Sequence, residues 1–427
     1  MKKNGIGLAV LLLLLALCTA CSLPQGQASA PSGPQESAQS SAVKEPPPEN
    51  SAPSEPPGES LAGSSSVSSS EPTVSPEPEA EGLFAAGYPA ARRLLADMTL
   101  EEKAAQVFLF RCPAEDAPAL VQAYQPGGFM LFARDFEGKT AEQVRTEMDA
   151  YQRESKVPMF LAVDEEGGTV VRVSRNANLA PKKFQSPQQI YRTGGMQGIV
   201  DDTIEKAGLL QSLGVNVNLA PVADVSVNPA DFMYARAFGQ GAQETADYVK
   251  NNVAAYNGEK MPCVLKHFPG YGNNADTHTG VAHDERPYET FQTSDFLPFA
   301  AGIAAGAPMV LVSHNIVSSM DAERPASLSP EVHRVLRDEL GFTGLILTDD
   351  LAMEAIPAYT GGENPCAAAL NAGNDLLLSS NMEADYSALL AAVRGGTVTE
   401  ERLEESVLRV LAMKCCTQQY QMERTVE

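Results

Sequence analysis

Pro308-Met309-Val310-Leu311-Val312-Ser313-His314, then Ser329-Pro330-Glu331 opening the segment Val332 to Leu340, then Gly341, then Gly344-Leu345-Ile346-Leu347-Thr348-Asp349, spells out one complete unit of architecture. A short apolar run is followed by a capped segment with proline in its first turn and glycine as its stop signal, and then by a second apolar run. Strand, helix, strand in that order predicts a parallel sheet whose neighbours are joined by helical crossovers.

The same alternation fills the chain from residue 83 onward. Six further short apolar runs lie at Ala105 to Arg111, Gly128 to Ala133, Pro158 to Asp164, Val215 to Pro221, Pro262 to His267 and Asn374 to Leu378. Together they make eight β/α units, which fit the α/β class as a (β/α)8 TIM-type barrel, a single catalytic domain over residues 83–427. An open doubly wound sheet is the alternative arrangement of such units. Several runs end in a residue able to do chemistry: Asp164, Asp224 just past its strand, Lys266-His267, His314 and Asp349. In a barrel these gather at the C-terminal rim, where loops converge on one mouth. Any one of them could instead cap a loop or a helix, but stability gives no reason for the bias as a set.

The first eighty or so residues differ. Lys2 and Lys3, the apolar run Leu8 to Leu17 and the small residues leading to Cys21 read as an export signal over residues 1–21, too short and too early for a convincing membrane span. Cys18-Thr19-Ala20-Cys21 resembles a bacterial lipoprotein processing site, so Cys21 is the expected lipidation site and the outer face of a bacterial membrane the expected location. An ordinary signal peptide with an incidental cysteine is the alternative. Residues 22–82 are rich in Ser, Pro, Glu and Ala, carry nine Glu against one Lys and show no apolar periodicity, which predicts a disordered linker. As a flexible coil it spans roughly 40–45 Å. A net charge of -23 argues against a surface built to neutralise phosphates, and so against nucleic acid as a partner. Cysteines 112, 263, 366, 415 and 416 show neither metal-ligand spacing nor a disulfide framework.

The sharpest local signal is Lys266-His267-Phe268-Pro269-Gly270-Tyr271-Gly272 followed by Asp276-Thr277-His278, which puts a Lys, two His and an Asp on one Gly/Pro-shaped loop. It resembles the KHFPG(H/Y)G…D(S/T)H signature of glycoside hydrolase family 3, in the branch of β-N-acetylhexosaminidases that consist of a barrel without the second domain of β-glucosidases. Further matching pieces run from Leu94 to Lys414: Leu100-Glu101-Glu102-Lys103, Gly127-Gly128 with Leu131-Phe132-Ala133-Arg134, Val163-Asp164-Glu165-Glu166-Gly167-Gly168, Asn218 to Asp224, and Gly341-Phe342 to Leu351.

The resemblance implies that Asp349 is the nucleophile and Asp350 a neighbour that shapes the site. A carboxylate fixed at a strand end is what a retaining glycosidase needs to trap an oxocarbenium-like centre, although a helix N-cap would also use Asp there. Proton transfer falls on His278, held by Asp276. Two residues apart in an extended turn, both side chains can point the same way, and Asp276 can fix the imidazole's tautomer and favour its protonated form. A loop His in an Asx-type turn is the bland alternative. Sugar binding falls on Asp164, Arg172, Arg236, Lys266, His267 and His314, each of which could instead sit in a structural ion pair. Tyr271 stands where many relatives have His, which leaves subsite contacts open.

The implied activity is retaining hydrolysis of terminal non-reducing β-linked N-acetylglucosamine, with peptidoglycan fragments as the expected source, by an exported enzyme held to the membrane through its lipid anchor. No metal or organic cofactor is expected, and a monomer is. A β-glucosidase, β-xylosidase or phosphorylase of the same family is the rival enzyme. A non-catalytic cell-wall sugar-binding lipoprotein is the rival of another class, against which the joint presence of Asp349, Asp276 and His278 speaks.

Overall fold

A computed structural model describes residues 82–417 apart from 275, 278 and 279. The expected export signal, Cys21 and all but the last residue of the expected linker lie outside the described residues.

Two helices, Tyr88–Ala96 and Leu100–Gln106, lead into the sheet. The second opens on a capping box, in which the Glu102 amide donates to the Thr99 hydroxyl and the Thr99 amide donates to the Glu102 carboxylate. The strands are β1 Phe108–Arg111, β2 Gly128–Leu131, β3 Phe160–Val163, β4 Val217–Asn218, β5 Val264–Phe268, β6 Met309–Val312, β7 Leu345–Thr348 and β8 Leu377–Ser379. One parallel sheet runs β8-β1-β2-β3-β4 and another β5-β6-β7. Parallel bridges from Asn218 to Cys263 and from Leu347 to Leu376 join their edges, so the strands close into a ring. The chain is therefore the expected barrel and not the open sheet. A separate parallel ribbon, His283–Asp284 with Ile316–Val317, ties together the loops that follow β5 and β6.

Where β4 is short, side chains take over its pairing. Asn216 accepts from the Leu161 amide and donates to the Met159 carbonyl. Asn218 accepts from the Glu165 amide and donates to the Tyr256 hydroxyl at 2.7 Å. These amides satisfy backbone groups that a two-residue strand leaves unpaired in a buried place. At the β2–β3 seam a Cβ on Gly128 would lie 2.3 Å from the Phe160 carbonyl oxygen, so only glycine lets the strands approach.

Outside the ring, helices lay apolar stripes on the sheet. In Ala141–Glu154 the buried residues are Val144, Met148 and Tyr151, the spacing of one helix face. The last helix, Glu400–Cys416, buries Leu403, Val407, Val410 and Leu411. Each such side chain contributes about 1.5–3 kcal/mol on burial.

The strands begin or end a residue or more away from the runs read in the sequence, and two cases have a plain physical cause. The run from Ala105 is helix through Gln106 and strand only from Phe108, because an apolar last helical turn and an apolar strand carry the same local signal. The run from Asn374 becomes strand only at Leu377, since Asn374 and Asp375 are spent on side-chain bonds, Asp375 with Arg337 and Arg409. The crossover from β6 to β7 is a helix at Pro330–Arg334, capped by Ser329, that widens into a π-type turn at Val335–Glu339. Cys112, Cys263, Cys366 and Cys416 are free thiols.

Candidate active site

Every strand of the ring lends a residue at or near its C-terminal end to the wall of one cavity of 370 Å³. Arg111, Met130, Asp164 and Leu219 come from β1 to β4 or just beyond; Lys266 with His267, Leu311, Asp349 and Leu378 come from β5 to β8. This is the barrel mouth that the strand ends predicted. A cavity of 490 Å³ at the other end of the ring, lined by Pro158, Val215 and Met261, has its charge in surface pairs such as Arg145 with Asp149 at 2.9 Å.

A cluster of charges forms one side of the mouth. The Lys266 ammonium lies 2.6 Å from an Asp164 oxygen and 2.6 Å from a Glu166 oxygen, with Lys266 and Glu166 each only 2% exposed. Arg236 donates to both Glu166 oxygens, from Nε at 3.0 Å and Nη2 at 2.7 Å, the bidentate fork that fixes a guanidinium's plane. Burial alone would push Glu166 up, but Arg236 and Lys266 hold its carboxyl well below the usual range. Arg172 reaches Asp164 at 3.7 Å, and its buried Nε has no protein acceptor among the described residues, so a donor is left for a ligand. Glu165, one residue from Glu166, faces away and accepts from the amides of Arg172, Val173 and Ser174, which sets the loop that carries Arg172.

His267 Nδ1 lies 2.8 Å from Asp224, whose other oxygen accepts from the Tyr271 amide at 2.8 Å. Arg236 Nη2 is 3.2 Å from His267 Nε2. A guanidinium cannot accept, so in the neutral ring Nε2 is the acceptor and Nδ1 carries the proton toward Asp224. Tyr271 stands edge-on to His267, and its hydroxyl bonds the Thr277 hydroxyl at 2.6 Å. Thr277 is fully buried, and its carbonyl accepts from the Ala355 amide just beyond the Asp349-Asp350 pair. Asp276, its neighbour and the expected partner of the proton donor, is not among the residues that line the described cavity wall. His278, the expected proton donor, lies outside the described residues.

The base of this loop is braced by Arg286, which donates to the Gly270 carbonyl at 3.0 Å, to Asp284 at 2.7 Å and to Asp295 at 3.0 Å. A Cβ on Gly270, whose φ is +117°, would strike the Asp295 carboxylate at 2.5 Å. Burial pushes Asp295 up to about 6 against the pull of Arg286.

Asp349 follows β7, its amide donating to the Val312 carbonyl and one carboxylate oxygen accepting from the Asp350 amide at 2.9 Å. Burial works against its charge, yet attraction to His314 and His267, the Asp350 amide bond and Lys266 hold its pKa below the ordinary carboxylate value. Asp350 accepts from Ser380 and the Ala352 amide, which turns the chain. His314 is fully buried with one ring nitrogen on Ser327 at 2.8 Å and the other on the Asp350 carbonyl at 3.0 Å. It is absent from the described cavity wall and braces the Asp349-Asp350 turn from behind. Among the described residues no group of His, Cys, Asp or Glu is placed to hold a metal ion.

Residues 99–413 match the family model described as "Glycosyl hydrolase family 3 N terminal domain". The chain belongs to glycosyl hydrolase family 3. It is 31% identical over 327 residues to beta-hexosaminidase A of Pseudoalteromonas piscicida, an alignment that covers 69% of this chain and 54% of that protein. Among solved structures, the glycoside hydrolase family 3 beta-N-acetylglucosaminidase from Paenibacillus sp. str. FPU-7 superposes with a TM-score of 0.69 at 28% identity, covering 75% of this chain and 63% of that one. Beta-N-acetylhexosaminidase from Beutenbergia cavernae DSM 12333 superposes with a TM-score of 0.65 at 27% identity, covering 75% of this chain and 99% of that one. This chain thus spans about half the Pseudoalteromonas relative and nearly all of the Beutenbergia barrel.

Within this family 3 barrel the structure brings together Asp164, Arg172, Arg236, Lys266, His267 and Asp349 in one wall, with His314 behind it. Sequence reasoning gave no role to Glu166, although it lies in a quoted motif. Three consecutive acids, Asp164-Glu165-Glu166, directly after a wholly apolar strand are a usable signal, because buried carboxylates demand partners. Asp224 was legible as a rim residue but not as the partner of His267. Nothing local in the sequence marks Arg286.

Proposed function

We propose that this protein is a retaining β-N-acetylhexosaminidase that removes terminal non-reducing β-linked N-acetylglucosamine. The supporting observation is the seat of Asp349: an ionised carboxylate fixed by a strand end and the Asp350 amide, on the wall of a cavity that combines polar groups suited to sugar hydroxyls and an acetamido group with apolar side chains such as Met130, Phe132 and Leu311. Asp349 attacks the anomeric carbon as the glycosidic C–O bond breaks. His278, paired with Asp276, gives its proton to the departing oxygen. The same imidazole then takes a proton from water, whose oxygen displaces Asp349 and restores the original anomeric configuration. Asp164, Arg172, Arg236, Lys266 and His267 hold the sugar.

The naming of the Pseudoalteromonas, Paenibacillus and Beutenbergia proteins as hexosaminidases supports the choice of sugar. The substrate we propose in the cell is a peptidoglycan fragment, met outside the membrane by a monomer exported through residues 1–21, lipidated at Cys21 and held off the surface by residues 22–82. A panel of nitrophenyl glycosides tests the activity: selective release from the β-N-acetylglucosaminide is expected, lost in Asp349→Ala while sugar binding persists. Equal hydrolysis by variant and wild type, or preference for the glucoside or xyloside, overturns the reading. Labelling with radioactive palmitate, abolished by Cys21→Ala, tests the anchor; unchanged labelling removes it.

A further inference from the structure

Beyond Lys266-His267 the chain turns on Tyr271, which is fixed in the wall of the mouth by backbone and ring alike. Its amide donates to Asp224 at 2.8 Å, and its carbonyl accepts from the Asn274 amide at 2.9 Å. The ring is almost wholly buried, packs with Val222 and Met233 and lies edge-on to His267. Its hydroxyl then reaches across the loop to the Thr277 hydroxyl at 2.6 Å. Burial and the neighbouring Asp349 charge both push the Tyr271 phenol up from its ordinary pKa, so the pair is two neutral hydroxyls, one donating to the other.

Thr277 is held at two points. Tyr271 takes its hydroxyl, and its carbonyl accepts from the Ala355 amide, beyond the turn that carries Asp349. Asp276 is joined to Thr277 by a single planar peptide unit, so the seat of Thr277 limits where Asp276 can go. Shape alone does not call for this bond. Phe and Val would fill the same space without the cost of taking two hydroxyls out of water, a cost that only their mutual bond offsets. We propose that Tyr271 is a positioning residue for proton transfer: its hydroxyl holds Thr277, and through Thr277 the Asp276 that pairs with the proton donor, in register with the turn that carries Asp349.

The inference rests on the proposed assignment of proton transfer to Asp276 and His278, and the test separates the two. Wild type, Tyr271→Phe, Thr277→Val, the double variant, Thr277→Ser and Asp276→Asn are assayed for kcat/KM on the N-acetylglucosaminides of 2,4-dinitrophenol and 4-methoxyphenol. Dinitrophenolate departs without a proton and methoxyphenol needs one, so the ratio of the two values reports proton donation. That ratio is internal to each variant, and a change in the amount of folded protein does not move it. Tyr271→Phe and Thr277→Val are each expected to lower kcat/KM on the methoxyphenyl glycoside about tenfold and on the dinitrophenyl glycoside less than about twofold. The double variant should lose no more than either single, because all three lack the same bond, and Thr277→Ser, which keeps the hydroxyl, should stay near wild type. Equal losses on both glycosides in Tyr271→Phe, or a wild-type ratio there while Asp276→Asn shifts it, overturn the positioning role and leave the proton-transfer assignment standing. A wild-type ratio in Asp276→Asn removes that assignment and the positioning role with it.

Discussion

Glu166→Gln tests whether the charges at the mouth work as one unit. The side chain keeps its outline and loses its charge, while Lys266 and Arg236 keep theirs. In the wild type Glu166 meets Lys266 at 2.6 Å and Arg236 at 2.7 Å, with Glu166 and Lys266 almost wholly buried, so solvent screens little of the attraction. Removing one member of such a pair leaves an uncompensated buried cation, at a cost of about 3–5 kcal/mol. Against a typical total stability of about 5–15 kcal/mol the variant still folds, with a clearly lower denaturation midpoint. Burial would raise the carboxyl's pKa, but the two cations bring it below the usual 4.5, so its stabilisation is complete above that pH and is lost as pH falls through the folded value. The gap between wild type and variant is therefore expected to be flat at neutral pH and to shrink in acid. The assay is urea denaturation of wild type, Glu166→Gln, Arg236→Gln and the double variant, with equal m-values as the check on comparability. The double variant is expected to be less destabilised than the sum of the singles by more than about 1 kcal/mol. Strict additivity, or a Glu166→Gln cost under about 0.5 kcal/mol, refutes the coupled cluster.

Three further outcomes follow from other parts of the fold. Lys414 is buried with Gln106 as its acceptor at 2.8 Å, and desolvation lowers its pKa to about 7 from 10.5. The unfolded chain therefore holds the extra proton between those values, and stability should rise by about 2–3 kcal/mol from pH 6 to 9; Lys414→Met should flatten that rise, and an equally steep profile would contradict it. Arg286→Lys loses the fork that braces Gly270, Asp284 and Asp295, so kcat should fall roughly tenfold or more, with larger losses on glycosides of poor leaving groups, because the loop it holds carries Asp276. A uniform loss across leaving groups would assign Arg286 to folding alone. Asp349→Asn should lower kcat by roughly a thousandfold or more with the denaturation midpoint little changed, read in the same urea assay.

The barrel was legible because its strands are buried on both faces, so runs such as Met309–Val312 and Phe160–Val163 are apolar without interruption. The rim was legible because polar residues at the ends of such runs, Asp164, Lys266-His267 and Asp349, have no structural reason to recur. What the residues could not display is pairing across the ring. Glu166 and Lys266 are a hundred positions apart in sequence, and only closure of the barrel brings them to 2.6 Å. His314 shows the converse limit: at a strand end it reads like its neighbours, yet two bonds, to Ser327 and the Asp350 carbonyl, place it behind the wall. Arg286 lies beyond the motif it braces, and its partners Asp284 and Asp295 look like ordinary surface acids until folding buries them.

The identity of the nucleophile is tested most directly by trapping the glycosyl-enzyme with a slow fluorinated N-acetylglucosaminyl substrate, digesting the protein and locating the sugar by mass spectrometry. The expected result is one equivalent of label on the carboxylate of Asp349. A label on any other residue, or stoichiometric turnover with no trapped sugar and inverted product, would contradict a double displacement at Asp349.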